Sequence, residues 1–383
     1  MKERYYSLDV FRGATVALMI LVNNPGTWSH IFDPLEHAKW HGCTPTDLVF
    51  PFFLFAVGNA MAFVMPRWET AGNAYVVGKI LKRTLLIFLI GVFLNWAPFI
   101  MWSDNQLVSR PFETLRIMGV LQRIALAYCF AALIVHFFKT RAAFFISLLI
   151  LLLYWFLCLL FGDLADPYSR SGFFGTAIDR MILGDKHLYI KKGSPFDPEG
   201  LVSTIPAIVQ VIFGYFAGSY IQQKGKNFEM LSNLFVAGCL LVFTGFCWDL
   251  VFPINKQLWT SSYVCYTTGL AMMVLGIMIY LIEFRNYRGA WSSFFVVFGK
   301  NPLFIFCLSG FLVRLQGLWR WVDHINEKGK PVYITPFSWF YQYICKPVSE
   351  KPEVGSLLYA VCMIIFYWMI VWWMDKKRIY IKV

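Results

Sequence analysis

His37 and His41 stand four residues apart in Glu36-His37-Ala38-Lys39-Trp40-His41. That spacing could suit a metal, but the pattern is not H-E-x-x-H and no third ligand follows nearby, so no metal is expected. An imidazole titrates near neutrality, and His37 is therefore a general-base candidate. Asp47 follows ten positions later. Either it caps the next helix, alone or with Thr46, or it orients a histidine. Upstream, Asn23 and Asn24 precede Pro25-Gly26. An asparagine amide can donate to a developing oxyanion or orient a base, and it can equally end a helix before a turn; one of the two is read as the cap.

These residues lie between apolar segments, and the whole chain is built that way. Of 383 residues 58% are hydrophobic and only 15% charged, a composition that excludes an ordinary soluble domain. A helix needs about 20 apolar residues to cross the hydrocarbon core. Ten candidate spans fit, at roughly 7–24, 46–65, 79–98, 117–138, 142–161, 201–222, 230–251, 262–284, 302–320 and 356–374. The expected fold class is all-α, a single polytopic membrane domain over 1–383. Two apolar pieces, Trp291 to Phe298 and Tyr333 to Cys345, are too short to cross and are expected to lie at an interface or re-enter. The first run, Val10 to Val22, is followed by Asn-Asn-Pro-Gly rather than a small-residue cleavage site, so it reads as a retained helix.

The net charge of +12 would suggest nucleic acid in a soluble protein, but in a membrane protein it sets topology. Lys2, Arg4, Arg67, Lys79, Lys82, Arg83, Lys139, Arg141, Lys224, Lys226, Arg285, Arg288 and Lys376 to Arg378 all fall on one side. Both termini are accordingly expected in the cytoplasm, with outer loops near 26–45, 162–200 and 321–355. The nine cysteines include no C-x-x-C pair and read as small core residues.

Ionisable groups inside spans are functional hypotheses, because each is costly unless paired or hydrated. Asp9 and Arg12 can pair at i,i+3, as an interfacial ion pair or as the holder of a phosphate-bearing ligand. Gln122 and Arg123 lie deep in span four and call for a buried partner or a bound anion; Asp249 is a candidate partner. Lys300 and Asn301 form a polar break before Pro302, and Trp259 begins an aromatic, hydroxyl-rich approach to span eight. Phe196-Asp197-Pro198-Glu199-Gly200 reads as a helix start, with direct ligand contact as the alternative. No internal repeat of the transporter kind is present.

Taken as a set, these pieces resemble the heparan-alpha-glucosaminide N-acetyltransferases and their bacterial membrane relatives that acetylate glucosamine. The resemblance rests on Ser7-Leu8-Asp9 with Arg12-Gly13, Val22-Asn23, His37 to Gly42, Thr46 to Pro51, Gly119 to Arg123, Asp197 to Gly200, Asn255 to Trp259, and Asn301. It implies that acetyl moves from cytosolic acetyl-CoA to an amino sugar across the membrane, with His37 catalytic, Asn23 in support, and a homodimer in a bacterial inner membrane. The lysosomal members carry a further lumenal region, and this chain is expected to begin where their transmembrane core begins.

In the mechanism expected from both readings, His37 takes a proton from the amine, Asn23 and Asn24 hold the oxyanion, and Asp47 fixes the histidine tautomer. Arg12, Arg123 and Lys300, with Asp9, Gln122 and Asn301 beside them, are expected near acetyl-CoA. Trp40, His41, Glu199, Asp249 and Trp259 are expected near the sugar. A two-step variant acetylates His37 first. Transfer to a sugar hydroxyl, or transport of amino sugars or small anions, are the competing functions.

Overall fold

A computed structural model describes residues 5–103, 105–191 and 194–381; Lys2 and Arg4, counted above for orientation, lie outside the described residues. The chain runs α1 (Tyr6–Asn23), α2 (Val49–Glu69), α3 (Asn73–Trp96), α4 (Val120–Phe137), α5 (Thr140–Phe161), α6 (Phe174–Leu183), α7 (Leu201–Lys224), α8 (Phe228–Asp249), α9 (Ser261–Ile279), α10 (Ala290–Lys300), α11 (Pro302–Gln316), α12 (Pro336–Phe340) and α13 (Pro352–Lys376). Helices stand at all ten expected positions, their ends displaced by no more than a turn or two.

Among the described residues, eight helices are long and apolar enough to cross a membrane. α3 matches them in length but carries Lys79, Lys82 and Arg83. The span expected at 302–320 does not stand alone. α11 has 15 residues, a rise of about 22 Å at 1.5 Å per residue, short of the hydrocarbon thickness. It forms a pair with α10, bent by 80°. α10 contains the short apolar piece expected to lie at an interface or re-enter, so among the described residues eight helices meet the length and apolarity of a span and the bent pair, counted as one, is a ninth.

Alternation of the chain puts the end of α1 and the starts of α2, α4, α7 and α9 at one end of the bundle, here the His37 end. In the middle, α2 and α7 meet closely: a Cβ on Gly58 would collide with the Val211 carbonyl, and one on Gly214 with the Phe55 carbonyl. Small residues at such crossings let backbones approach, the packing that helices use where burial from water offers no drive. α5 and α8 instead expose Phe145, Leu149, Leu152, Phe156, Leu240 and Phe243, faces suited to lipid.

The connections at the His37 end carry their own structure. Antiparallel hairpins join β1 (Ile100–Ser103) to β2 (Gln106–Ser109), β3 (Ile190–Lys191) to β4 (Ser194–Pro195), and β5 (Trp321–Ile325) to β6 (Pro331–Ile334). α6 lies in the 162–200 connection and ties it to α7. Its Asp179 accepts the Leu201 and Val202 amides at 2.9 and 3.3 Å, filling the donors left open at a helix start. The stretch Phe196 to Gly200 does lead into a helix start, at Leu201, but capping by its own side chains is corrected. The cap comes from another helix, and Asp197 and Glu199 are free for other partners.

Candidate active site

A short 3-10 turn, Pro45–Leu48, leads into α2 and carries Asp47. Its Oδ2 accepts the Thr44 amide at 3.1 Å and the Ala38 amide at 3.0 Å, and the Thr44 hydroxyl lies 3.1 Å away. Asp47 is thus half of a capping box with Thr44 rather than Thr46. Its other oxygen, Oδ1, lies 2.7 Å from His37 Nδ1. Both readings of Asp47 hold together, because a carboxylate has two oxygens and each takes one task. With only 1% of its surface exposed, it fixes the loop from 37 to 44 as a rigid unit.

Buried and ionised, Asp47 favours the tautomer in which Nδ1–H donates to it, leaving Nε2 as the acceptor. Among the described residues Nε2 has no hydrogen-bond partner, and His37 lines a cavity of about 400 Å³.

The opposite wall comes from the α8–α9 connection. Gly42 forms a parallel bridge with Asn255, its amide donating to the Ile254 carbonyl at 2.7 Å, and Asn255 Nδ2 donates to the Trp40 carbonyl at 2.9 Å. This seam brings Lys256 Nζ to 3.2 Å from His37 Nδ1 and 3.3 Å from Asp47 Oδ1. Burial holds the Lys256 ammonium below the usual lysine range, against the pull of Asp47 and Glu199. Trp259, in the same connection, has φ +55°, uncommon for a bulky side chain. It is fully buried, its ring 5.0 Å from Phe50 and 5.2 Å from Tyr263. Tyr263 donates its hydroxyl to the Asp47 carbonyl at 2.6 Å, which joins α9 to the turn.

Arginines and carboxylates close the cavity floor. Arg116 takes Asp197 in a fork, Nε–Oδ2 2.9 Å and Nη2–Oδ1 2.5 Å, and reaches Glu199 Oε2 at 2.5 Å. Burial works against the Arg116 charge, but the two carboxylates outweigh it and hold its pKa above the ordinary range. For Glu199 burial favours the neutral form, and Arg116 and Arg123 reverse that. Arg123, 1% exposed, donates to the Pro198 carbonyl at 2.5 Å, to the Ser203 hydroxyl, and to Thr204 Oγ1 at 3.3 Å. Its guanidinium carbon lies 4.8 Å from the Trp259 ring centroid. Asp249, the partner expected for Arg123, is elsewhere: its Oδ1 accepts the Ile254 amide at 2.5 Å and shapes the turn after α8.

The other expected site residues separate into three cavities, with four of them outside all three. Trp40, Glu199 and Trp259 line the His37 cavity, whereas His41 and Asp249 do not. His41 turns toward Asn255, ring nitrogen to amide 3.4 Å, and burial lowers its pKa against Asp166 and Asp249. Asn23, Asn24 and Gln122 line a neighbouring cavity of about 300 Å³ that shares Arg116 with the first. Asn24 Nδ2 donates to the Ile20 carbonyl at 2.8 Å, so it is the cap of the pair.

Asp9 and Arg12 pair at 2.5 Å and line a third cavity, about 560 Å³, at the other end of the bundle. Lys300 and Asn301 line none of these three cavities. Lys300 is held at 2.8 Å by both Asp375 oxygens, and Asn301 straps the backbone of Ile379 and Ile381 at 3.0 and 2.9 Å. Both are committed to securing the bend before Pro302 against the C-terminal segment. Among the described residues no group of three or more His, Cys, Asp or Glu could hold a metal.

The sequence marks neither Lys256 nor Arg116 as a site residue, although Lys256 falls within the Asn255 to Trp259 piece that carries the family resemblance. That piece was the available signal for Lys256; Arg116 had none.

Fold and site together define a polytopic helical membrane protein with a carboxylate-bound imidazole at one end of its bundle. The sequence profile described as "Heparan-alpha-glucosaminide N-acetyltransferase, catalytic" matches residues 4–247, and the chain belongs to that family. Two relatives share that enzyme name. The Mus musculus protein is 26% identical over 435 aligned residues, covering 100% of this chain and 61% of its own length. The Homo sapiens protein is 28% identical over 360, covering 80% and 52%. The chain thus spans about half to three-fifths of the relatives it matches.

Proposed function

We propose that the chain is a transmembrane N-acetyltransferase that moves acetyl from acetyl-CoA to the amine of glucosamine or a terminal glucosaminide. The observation that carries this reading is His37, with Nδ1 on buried Asp47 and its ring lining a cavity of about 400 Å³. In the reaction, Nε2 accepts the proton released as the amine attacks the thioester carbonyl. The C–N bond forms, the C–S bond breaks, and the proton passes from His37 to the departing thiolate. Asn23 faces the adjoining cavity and Asn24 is committed to its helix. Lys256, which reaches from the opposite wall to 3.2 Å from His37 Nδ1 and lines the same cavity, is therefore the donor we assign to the tetrahedral oxyanion. Trp40, Glu199 and Trp259 are assigned to the sugar.

The loop charges support placing the His37 end on the outer side and both termini in the cytoplasm. The Arg12 and His37 cavities share no lining residue. A homodimer and a bacterial inner membrane belong to this reading through the family resemblance alone.

Detergent-purified protein mixed with acetyl-CoA and glucosamine tests the proposal. CoA release is expected, together with loss of at least about 100-fold in His37→Ala at preserved fold. Unchanged turnover in His37→Ala overturns the assignment. CoA release with N-acetylglucosamine but not glucosamine supports transfer to a hydroxyl instead.

A further inference from the structure

The cavity beside the His37 site is built differently from its neighbour. It is walled by α1, α3, α4 and α11, and no aspartate or glutamate lines it. Gln122 is 1% exposed, and its Nε2 is buried with no partner. Asn23, on the same wall, makes no side-chain hydrogen bond among the described residues. The side chain of Arg314, in the last turn of α11, makes neither a hydrogen bond nor an ion pair among the described residues.

Arg110 and Arg116 lie close enough to repel Arg314, and among the described residues only Arg116 of the three has carboxylate partners. Asn95 differs, its amide donating to the Arg116 and Met118 carbonyls at 3.0 Å each. Glycines at 91, 119 and 310 keep the walls low, and a Cβ on Gly91 would press on Gln122 itself.

An uncompensated cation, a buried amide donor without an acceptor and a second free amide around one space call for acceptor oxygens carrying negative charge. We propose that this cavity is an oxyanion subsite of the transfer centre, in which Arg314 and the Gln122 and Asn23 amides receive a phosphate ester of the acyl donor or an acidic group of the acceptor. The inference rests on the acetyl-transfer reading for those two sources, not for the anion itself. Arg116, common to both cavities, sets the subsite directly beside His37. A donor phosphate bound here lies at the His37 end of the bundle, not at the Arg12 end.

Calorimetric binding to the detergent-purified full chain, without turnover, is the test. The probes are CoA, pantetheine, glucosamine, glucosamine 6-phosphate and inorganic pyrophosphate; the variants are Arg314→Gln and the near-isosteric Gln122→Glu. A donor subsite weakens CoA by about tenfold or more in both variants and leaves pantetheine unchanged. An acceptor subsite weakens glucosamine 6-phosphate and leaves glucosamine unchanged. Loss of pyrophosphate binding in the variants, where wild-type protein binds neither CoA nor the sugars, upholds the subsite and removes the acetyl-transfer reading. Unchanged affinity for every probe in both variants overturns the proposal.

Discussion

Lys256 Nζ stands 3.2 Å from His37 Nδ1, although 219 positions separate the two residues in the chain. The contact exists because the Gly42–Asn255 bridge sews the α8–α9 connection to the loop before α2. Asp47 lies between them and takes both, at 2.7 and 3.3 Å.

Asp47→Asn tests the orienting role. An amide can still accept from Thr44 and Ala38, but its NH2 facing His37 favours the tautomer with Nδ1 bare and Nε2 protonated. Acetyl transfer is expected to fall by about 100-fold or more with a modest change in thermal midpoint. Initial rates and a melting curve on the same sample check this, and an unchanged rate removes the role.

Lys256 sets an alkaline limit. Burial lowers its pKa, so its ammonium is lost below the usual lysine range and with it the donor assigned to the oxyanion. The rate is expected to decline there, and Lys256→Arg, whose guanidinium stays charged, is expected to move that decline to higher pH. Stability runs the other way: between the lowered native pKa and the unfolded one the unfolded chain binds more protons, so stability rises with pH. A pH–rate profile of both proteins reads the shift.

Arg116→Met leaves Asp197 and Glu199 without their cation. Breaking a buried pair from one side costs about 3 kcal/mol or more, and the thermal midpoint is expected to drop by several degrees. Adding Asp197→Asn to that variant is expected to recover part of the loss. Differential scanning of the single and double variants decides it.

Asp179 gives an acid-range signature. Burial raises its pKa to about 6 from 3.8, outweighing the Leu201 and Val202 amides that favour the charged form. Its contribution is fully present below the unfolded value and is lost as pH rises through about 6. Asp179→Asn is therefore expected to gain stability relative to wild type between pH 4 and 7, by up to about 3 kcal/mol. Paired melts at the two pH values measure the difference, and a difference that does not change with pH sinks the assignment.

The residues that proved legible in the sequence are those whose meaning is local. His37 and Asp47 are ten apart on one short loop, and Asp9 and Arg12 are three apart on one helix; both pairs meet. Lys300 looked available for a phosphate because Asp375, its partner, is on another helix. Arg123 lacked its expected partner for a similar reason, since the loop ahead of α7 folds back over it and supplies a carbonyl and hydroxyls instead.

Taken alone, the sequence determined that this chain is a bundle of membrane helices, and where most of them lie, because hydrocarbon demands long apolar runs with every backbone group bonded within its own segment. It also singled out the imidazole and the carboxylate beside it. Only the tertiary structure decided that Lys256 completes that pair, that Asn23 belongs to the adjoining cavity, and that Arg116 separates the two. Those outcomes depend on how each helix is turned about its axis and where distant loops fold back, and no local pattern of residues encodes either.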